Sequence, residues 1–230
     1  MSLFGGSIAP ALLEPAPGAV IQLLDVASPH ISPIAGDAGG NIPLAVRRAG
    51  DLLLVNRGGW FVFPTTVTGW VLLAGTPGDH QLWGRIATNT AADNFLNSAP
   101  TQQTITQMAS FKWPYATVSL GNVSALWDGS SKAEFFYKAL ASDGSGTNTL
   151  IVAYLMGLRN TPSASYVISG PDGPEGSNID GPTTVESNQM VGSPWLWYHD
   201  ELNAAFTAGS FPHTPADSIG LRGQTVRITA

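Results

Sequence analysis

The sequence predicts an all-β chain, an antiparallel β-sandwich of jelly-roll type. Three observations lead there. Short apolar stretches rich in β-branched and aromatic residues recur along the chain, which is the composition of strands. Turn-forming links separate them, because the chain holds 26 Gly and 17 Pro. Helical periodicity is clear in one place only, and no repeat of propeller or solenoid period is present.

Residues 1–40 read as an extended N-terminal arm ahead of a sandwich domain over 41–230. Within the arm only "AVIQLLDV" (19–26) has the pattern of a strand; Pro10, Pro15, Pro17, Pro29 and Pro33 break up the rest. Leu3, Phe4, Ile8, Leu12, Leu13, Ile31 and Ile34 are irregularly spaced apolar residues, which suits them as anchors in separate pockets of a neighbouring subunit. The alternative is that the arm wraps its own domain.

From residue 41 the strands follow one another: "IPLAVR" (42–47), "DLLLVN" (51–56), "WFVFP" (60–64), "GWVLLAG" (69–75) and "QLWGRIAT" (81–88). "TPGDH" is a turn signal joining the last two. Residues 90–110 leave room for one or two short helical turns. "ATVSLGNV" (116–123) precedes the clearest hairpin grammar in the chain, the arms "AEFFYKALA" (133–141) and "NTLIVAYLMGL" (148–158) around the polar linker "SDGSGT". "ASYVISG" (164–170) and the terminal "GQTVRITA" (223–230) complete the set, with a long polar Gly/Pro loop between them.

"SPWLWYHDELNAAFTAG" (193–209) is where helical spacing shows. Ser193 and Pro194 resemble a capped start, Gly209 a stop, and Trp195, Tyr198, Leu202, Ala205 and Phe206 share one helical face. A short helix near 194–208 is therefore expected. His199, Asp200 and Glu201 are consecutive, so on a helix they point about 100° apart and cannot converge on one ion. They are read as surface and packing residues. No catalytic, cofactor-binding or metal-ligating residue is expected, and the chain is read as a non-enzyme.

Composition narrows the function classes. Charged residues make up 11% of the chain, against roughly 25% in an average soluble domain. The ten Lys and Arg are scattered, so the basic cluster that displaces counterions from nucleic acid is missing and no nucleic-acid partner is expected. With no Cys, a disulfide framework, a thiol nucleophile and a Cys-ligated metal are excluded. Neither a signal peptide nor an apolar run long enough to span a membrane is read, so no membrane partner is expected. Asp143 in one loop and Asp172, Glu175 and Asp180 in another offer oxygen ligands to calcium, but their spacing is not that of an EF-hand; turn-forming Asp is the simpler reading. There is no G-x-S-x-G elbow and no P-loop.

The start "MSLFGGSIAP", Cys-free strands and Gly/Ser/Thr/Asn-rich connections together resemble jelly-roll virion proteins of tailed bacteriophages in general character, over the whole chain and through no diagnostic motif. The resemblance implies a capsid, decoration or tail component, made in a host cytoplasm and located in the virion, whose partners are copies of itself and other virion proteins. Low charge agrees with this, because interface centres are depleted of charge. Two other classes stand beside it: a carbohydrate-binding sandwich that stacks surface glycans on tryptophan, and a glycan-active enzyme.

Overall fold

The computed structural model describes residues 21–27, 30–32, 42–59, 66–76, 80–95, 104–125, 127–128, 134–137, 139–142, 149–158, 167–168, 178–179, 190–191, 195–200, 209–214 and 221–230. In chain order their strands are β1 Gln22–Val26, β2 His30–Ser32, β3 Leu52–Gly59, β4 Val71–Thr76, β5 His80–Ile86, β6 Thr104–Lys112, β7 Ser119–Val123 and β8 Trp127–Asp128. There follow β9 Glu134–Tyr137, β10 Thr149–Leu158, β11 Val167–Ile168, β12 Asn178–Ile179, β13 Met190–Val191, β14 Trp195–Asp200, β15 Gly209–Thr214 and β16 Leu221–Thr229. The one helical element among the described residues is the 3-10 turn Ala91–Asp93, capped by the Thr90 hydroxyl. The fold is all-β and antiparallel at every pairing described. Among the described residues no helix is long and apolar enough to cross a membrane.

Two sheets form the body. The first runs β1-β6-β3-β5-β4, with β2 also on β6; the second runs β12-β14-β10-β16-β7, with β13 on β10 and β8 on β16. A smaller sheet runs β11-β15-β9. Strand alternation explains why the two large sheets stack. Leu52, Leu54, Leu82, Ala109 and Phe111 of the first sheet share one core with Leu150, Val152, Val226 and Ile228 of the second. The intervening residues Leu53, Val55, Trp83 and Met108 build a second core on the other face of the first sheet, closed by Ile42, Ala45, Trp70 and Phe95. That sheet is therefore buried on both faces, and "DLLLVN" is a continuous apolar run for this reason. Gly75, in β4 opposite Gln81, has φ +115°, and a Cβ there would meet the carbonyl of His80.

Several expectations need correction. Residues 195–200 form β14, paired with β10 and β12, where a helix was expected; 201–208 lie outside the described residues. Trp-Leu-Trp-Tyr-His has strong strand propensity, a proline suits the approach to a strand as well as the start of a helix, and six ladder positions on β10 decide the outcome. Residues 42–47 pair in no ladder. Side chains replace the ladder: Val46 N–H donates to the Asp25 carboxylate at 2.6 Å, and Ser110 Oγ donates to the Val46 carbonyl at 2.6 Å. The arms 133–141 and 148–158 both contain strands, but not a hairpin: β9 pairs with β15, whereas β10 lies between β14 and β16. A two-residue turn dictates the pairing of its flanks, and the longer "SDGSGT" does not. Within 90–110 a helical turn is present, and so is the start of β6, which the sequence reading did not assign. The stretch 60–64 lies outside the described residues.

Candidate functional site

Polar side chains buried in an apolar fold are where chemistry would be sought, and two groups stand out. The first is built on Asp93, fully buried at the end of the 3-10 turn. Its carboxylate accepts from Arg47 Nε at 2.6 Å, from the Thr88 N–H and hydroxyl at 2.8 Å each, and from the Asn89 N–H at 2.7 Å. Arg85 Nε is 3.3 Å away. Burial works to raise this carboxyl, but Arg47 and the Thr88 and Asn89 donors outweigh it and hold the pKa at about 2. A carboxylate locked in its ionised form by two guanidiniums is no proton donor near neutral pH. Its work is mechanical: it ties the 42–48 segment and β5 to the turn at 88–93.

The second group occupies one end of the first sheet, where both cores give way to polar residues. Arg57 stands opposite Gln81 on β5 and Thr106 on β6, and Thr106 stands opposite His30 on β2. One step along the strands, Asn56 is opposite Leu82 and Gln107, and Gly58 is opposite His80. Arg57, His80, Gln81 and Thr106 are fully buried. Burial lowers the Arg57 pKa to about 10, so the guanidinium stays charged at neutral pH. Its carbon lies 5.9 Å from the centre of the Phe95 ring, which also meets Trp70 edge-on at 5.1 Å. Trp83 Nε1 donates to Gln81 Oε1 at 3.1 Å, and Gln107 Nε2 donates to the Ala27 carbonyl at 3.1 Å. A second buried arginine, Arg227 on β16, donates to Thr149 Oγ1 at 3.0 Å and to the Ala141 carbonyl at 3.3 Å. The Arg227–Thr149 bond joins β16 to β10, whereas Trp83 and Gln81 share one strand and the Gln107 bond reaches a residue just beyond β1. Among the described residues no group of three His, Asp or Glu is placed to hold a metal ion.

The residues singled out from sequence fall as follows. His199 and Asp200 occupy adjacent positions of β14, opposite Leu150 and Thr149. Glu201, Asp143, Asp172, Glu175 and Asp180 lie outside the described residues. Of the seven arm anchors, Ile31 belongs to β2, opposite Ile105 of β6; Leu3, Phe4, Ile8, Leu12, Leu13 and Ile34 lie outside the described residues. Trp70, Trp83 and Trp113 are core residues, each at most 7% exposed, so they offer no stacking platform. Sequence reasoning missed Arg57, Asp93 and Arg227. The signal for Arg57 and Arg227 was charge set inside an apolar strand pattern, in "LLLVNR" and "TVRIT".

Exposed apolar residues are the other feature of the surface. Val46 is 73% exposed, Leu24 43% and Leu44 37%, and they lie where the 42–48 segment runs beside β1. Comparison with family models, curated proteins and solved structures finds no match to this chain.

Proposed function

We propose that the chain is a structural component of a viral particle, on the pattern of jelly-roll capsid, decoration or tail proteins of tailed bacteriophages, acting through contacts with copies of itself and with other virion proteins. One observation carries the reading: a surface poor in charge that also exposes apolar side chains. Only 11% of residues are charged, and Asp51, Arg57, Asp93 and Arg227 are buried, which thins the charged coat further. Free domains keep charge outside for colloidal stability, whereas the centres of interfaces shed it.

The test is the mass of the purified chain by sedimentation across a wide range of concentration, and its co-sedimentation with particles of the host virus. Concentration-dependent assembly supports the proposal. A chain that stays monomeric throughout and binds a glycan array belongs instead to the carbohydrate-binding class.

A further inference from the structure

We propose that the open edge of β4 pairs antiparallel with β4 of a second copy of this chain, continuing the first sheet from one copy into the next. The inference rests on the assembly reading above and names the surface and its occupant. β4 ends the first sheet: among the described residues it pairs with β5 and with no other strand. An edge strand presents a row of backbone N–H and C=O groups that another extended chain can satisfy, and charge is a common guard against such pairing. β1, the opposite edge, carries Asp25, whose carboxylate already holds the 42–48 segment alongside through Val46 N–H. β4 carries no charge. It lies within residues 58–78, the longest run of the chain without Asp, Glu, Lys or Arg. A bulge between Leu72 and Ala74 interrupts its ladder to β5 and leaves two lengths, Val71–Leu72 and Ala74–Thr76, for pairing.

The neighbouring strand indicates which chain fits. β7 closes the path of the second sheet and packs against β4. It lies within another uncharged run, 113–127, and exposes Leu120 and Val123 at 42% each, beside Val71 of β4 at 47%. A two-fold axis normal to the sheets sets β4 against β4 in the antiparallel sense and, by the same operation, brings β7 beside β7. A second copy therefore supplies at once a strand of matching length and an uncharged apolar flank, whereas an unrelated strand supplies only the first. Asn122, between Leu120 and Val123, donates to the Ala141 carbonyl. The hydrogen bonds of the contact are accordingly assigned to β4, and β7 contributes apolar cover.

Backbone amide exchange followed at rising protein concentration, beside sedimentation, tests the pairing. Amides of β4 should slow about tenfold once about nine chains in ten are paired, the limit being set by the unpaired fraction. Amides of β1 and of 42–48 should keep their rates. Val71→Lys, at an exposed position of the edge, should weaken association about tenfold by bringing like charges together across the two-fold axis. Val71→Thr, β-branched and uncharged, should leave association unchanged. Slow exchange of β4 already in the dilute monomer would mean that the chain covers its own edge, and the proposal would be wrong. Assembly that leaves the β4 amides as they were, or that is undiminished in Val71→Lys, would also overturn it while the assembly reading stands. If wild type never assembles, both fall.

Discussion

Asp93 shows how a single charge can organise an irregular stretch of this chain. It gathers donors from Arg47, Thr88 and Asn89 and lies beside Arg85, so residues 87–94, whose one regular element is the 3-10 turn, are fixed without a ladder. The folded carboxyl titrates at about 2, below the unfolded carboxylate at about 3.9. A group depressed in this way stabilises the fold fully above about pH 4, and that contribution is lost as the pH falls through about 2. Asp93→Asn should therefore cost about 2–3 kcal/mol at neutral pH, because two guanidiniums are left without their counter-charge. The loss is read as a lower urea midpoint. The gap between wild type and variant should close as pH falls from about 4 to about 2; a gap constant across that range would assign the loss to shape instead of charge. None of this was legible from "TNTAADNF", since the partners Arg47 and Arg85 come from other parts of the chain.

Strands declare themselves in sequence to the extent that their burial is apolar. β3 and β16 were legible because Leu52, Leu53, Leu54 and Val55, and likewise Val226 and Ile228, are buried apolar residues. β6 was not, although it sits inside its sheet between β1 and β3. Its Thr106, Gln107 and Ser110 are buried too, and polar residues in such a place read as loop unless their partners are known. Those partners, the Ala27 carbonyl for Gln107 and the Val46 carbonyl for Ser110, lie far away in the chain. β14 failed for a different reason: its aromatic spacing fits a helix face and a strand equally, and only pairing with β10 separates the two. The Ser110 bond gives the element-scale prediction. Ser110→Ala removes the donor to Val46, so it should cost about 1–3 kcal/mol. Amide exchange in 42–48 should speed up more than in β3 or β5. Uniform acceleration across the sheet would mean that Ser110 supports β6 alone and does not tether the segment.

For the molecule as a whole, the distribution of polarity is the informative quantity. One sheet is buried on both faces, its polar residues are turned inward at one end, and apolar Leu24, Leu44 and Val46 are turned outward beside β1. The short apolar stretches legible in the sequence were enough to predict an all-β sandwich, whereas this inversion of polarity depends on packing and left only a low charged fraction as its trace. Its consequence is a salt signature. Contacts between exposed charges weaken as the Debye length falls from about 10 Å at 0.1 M to about 3 Å at 1 M salt. Burial of apolar surface is not screened, and sulfate strengthens it by exclusion from the protein surface. Under the proposed assembly, association of copies should change little between low and high sodium chloride and increase in sodium sulfate at matched ionic strength. Its heat-capacity change on association should be negative, the marker of apolar burial. Sedimentation and titration calorimetry measure both. Association that dissolves in high sodium chloride would place the contact on the scattered charges and away from exposed apolar residues such as Leu24, Leu44 and Val46.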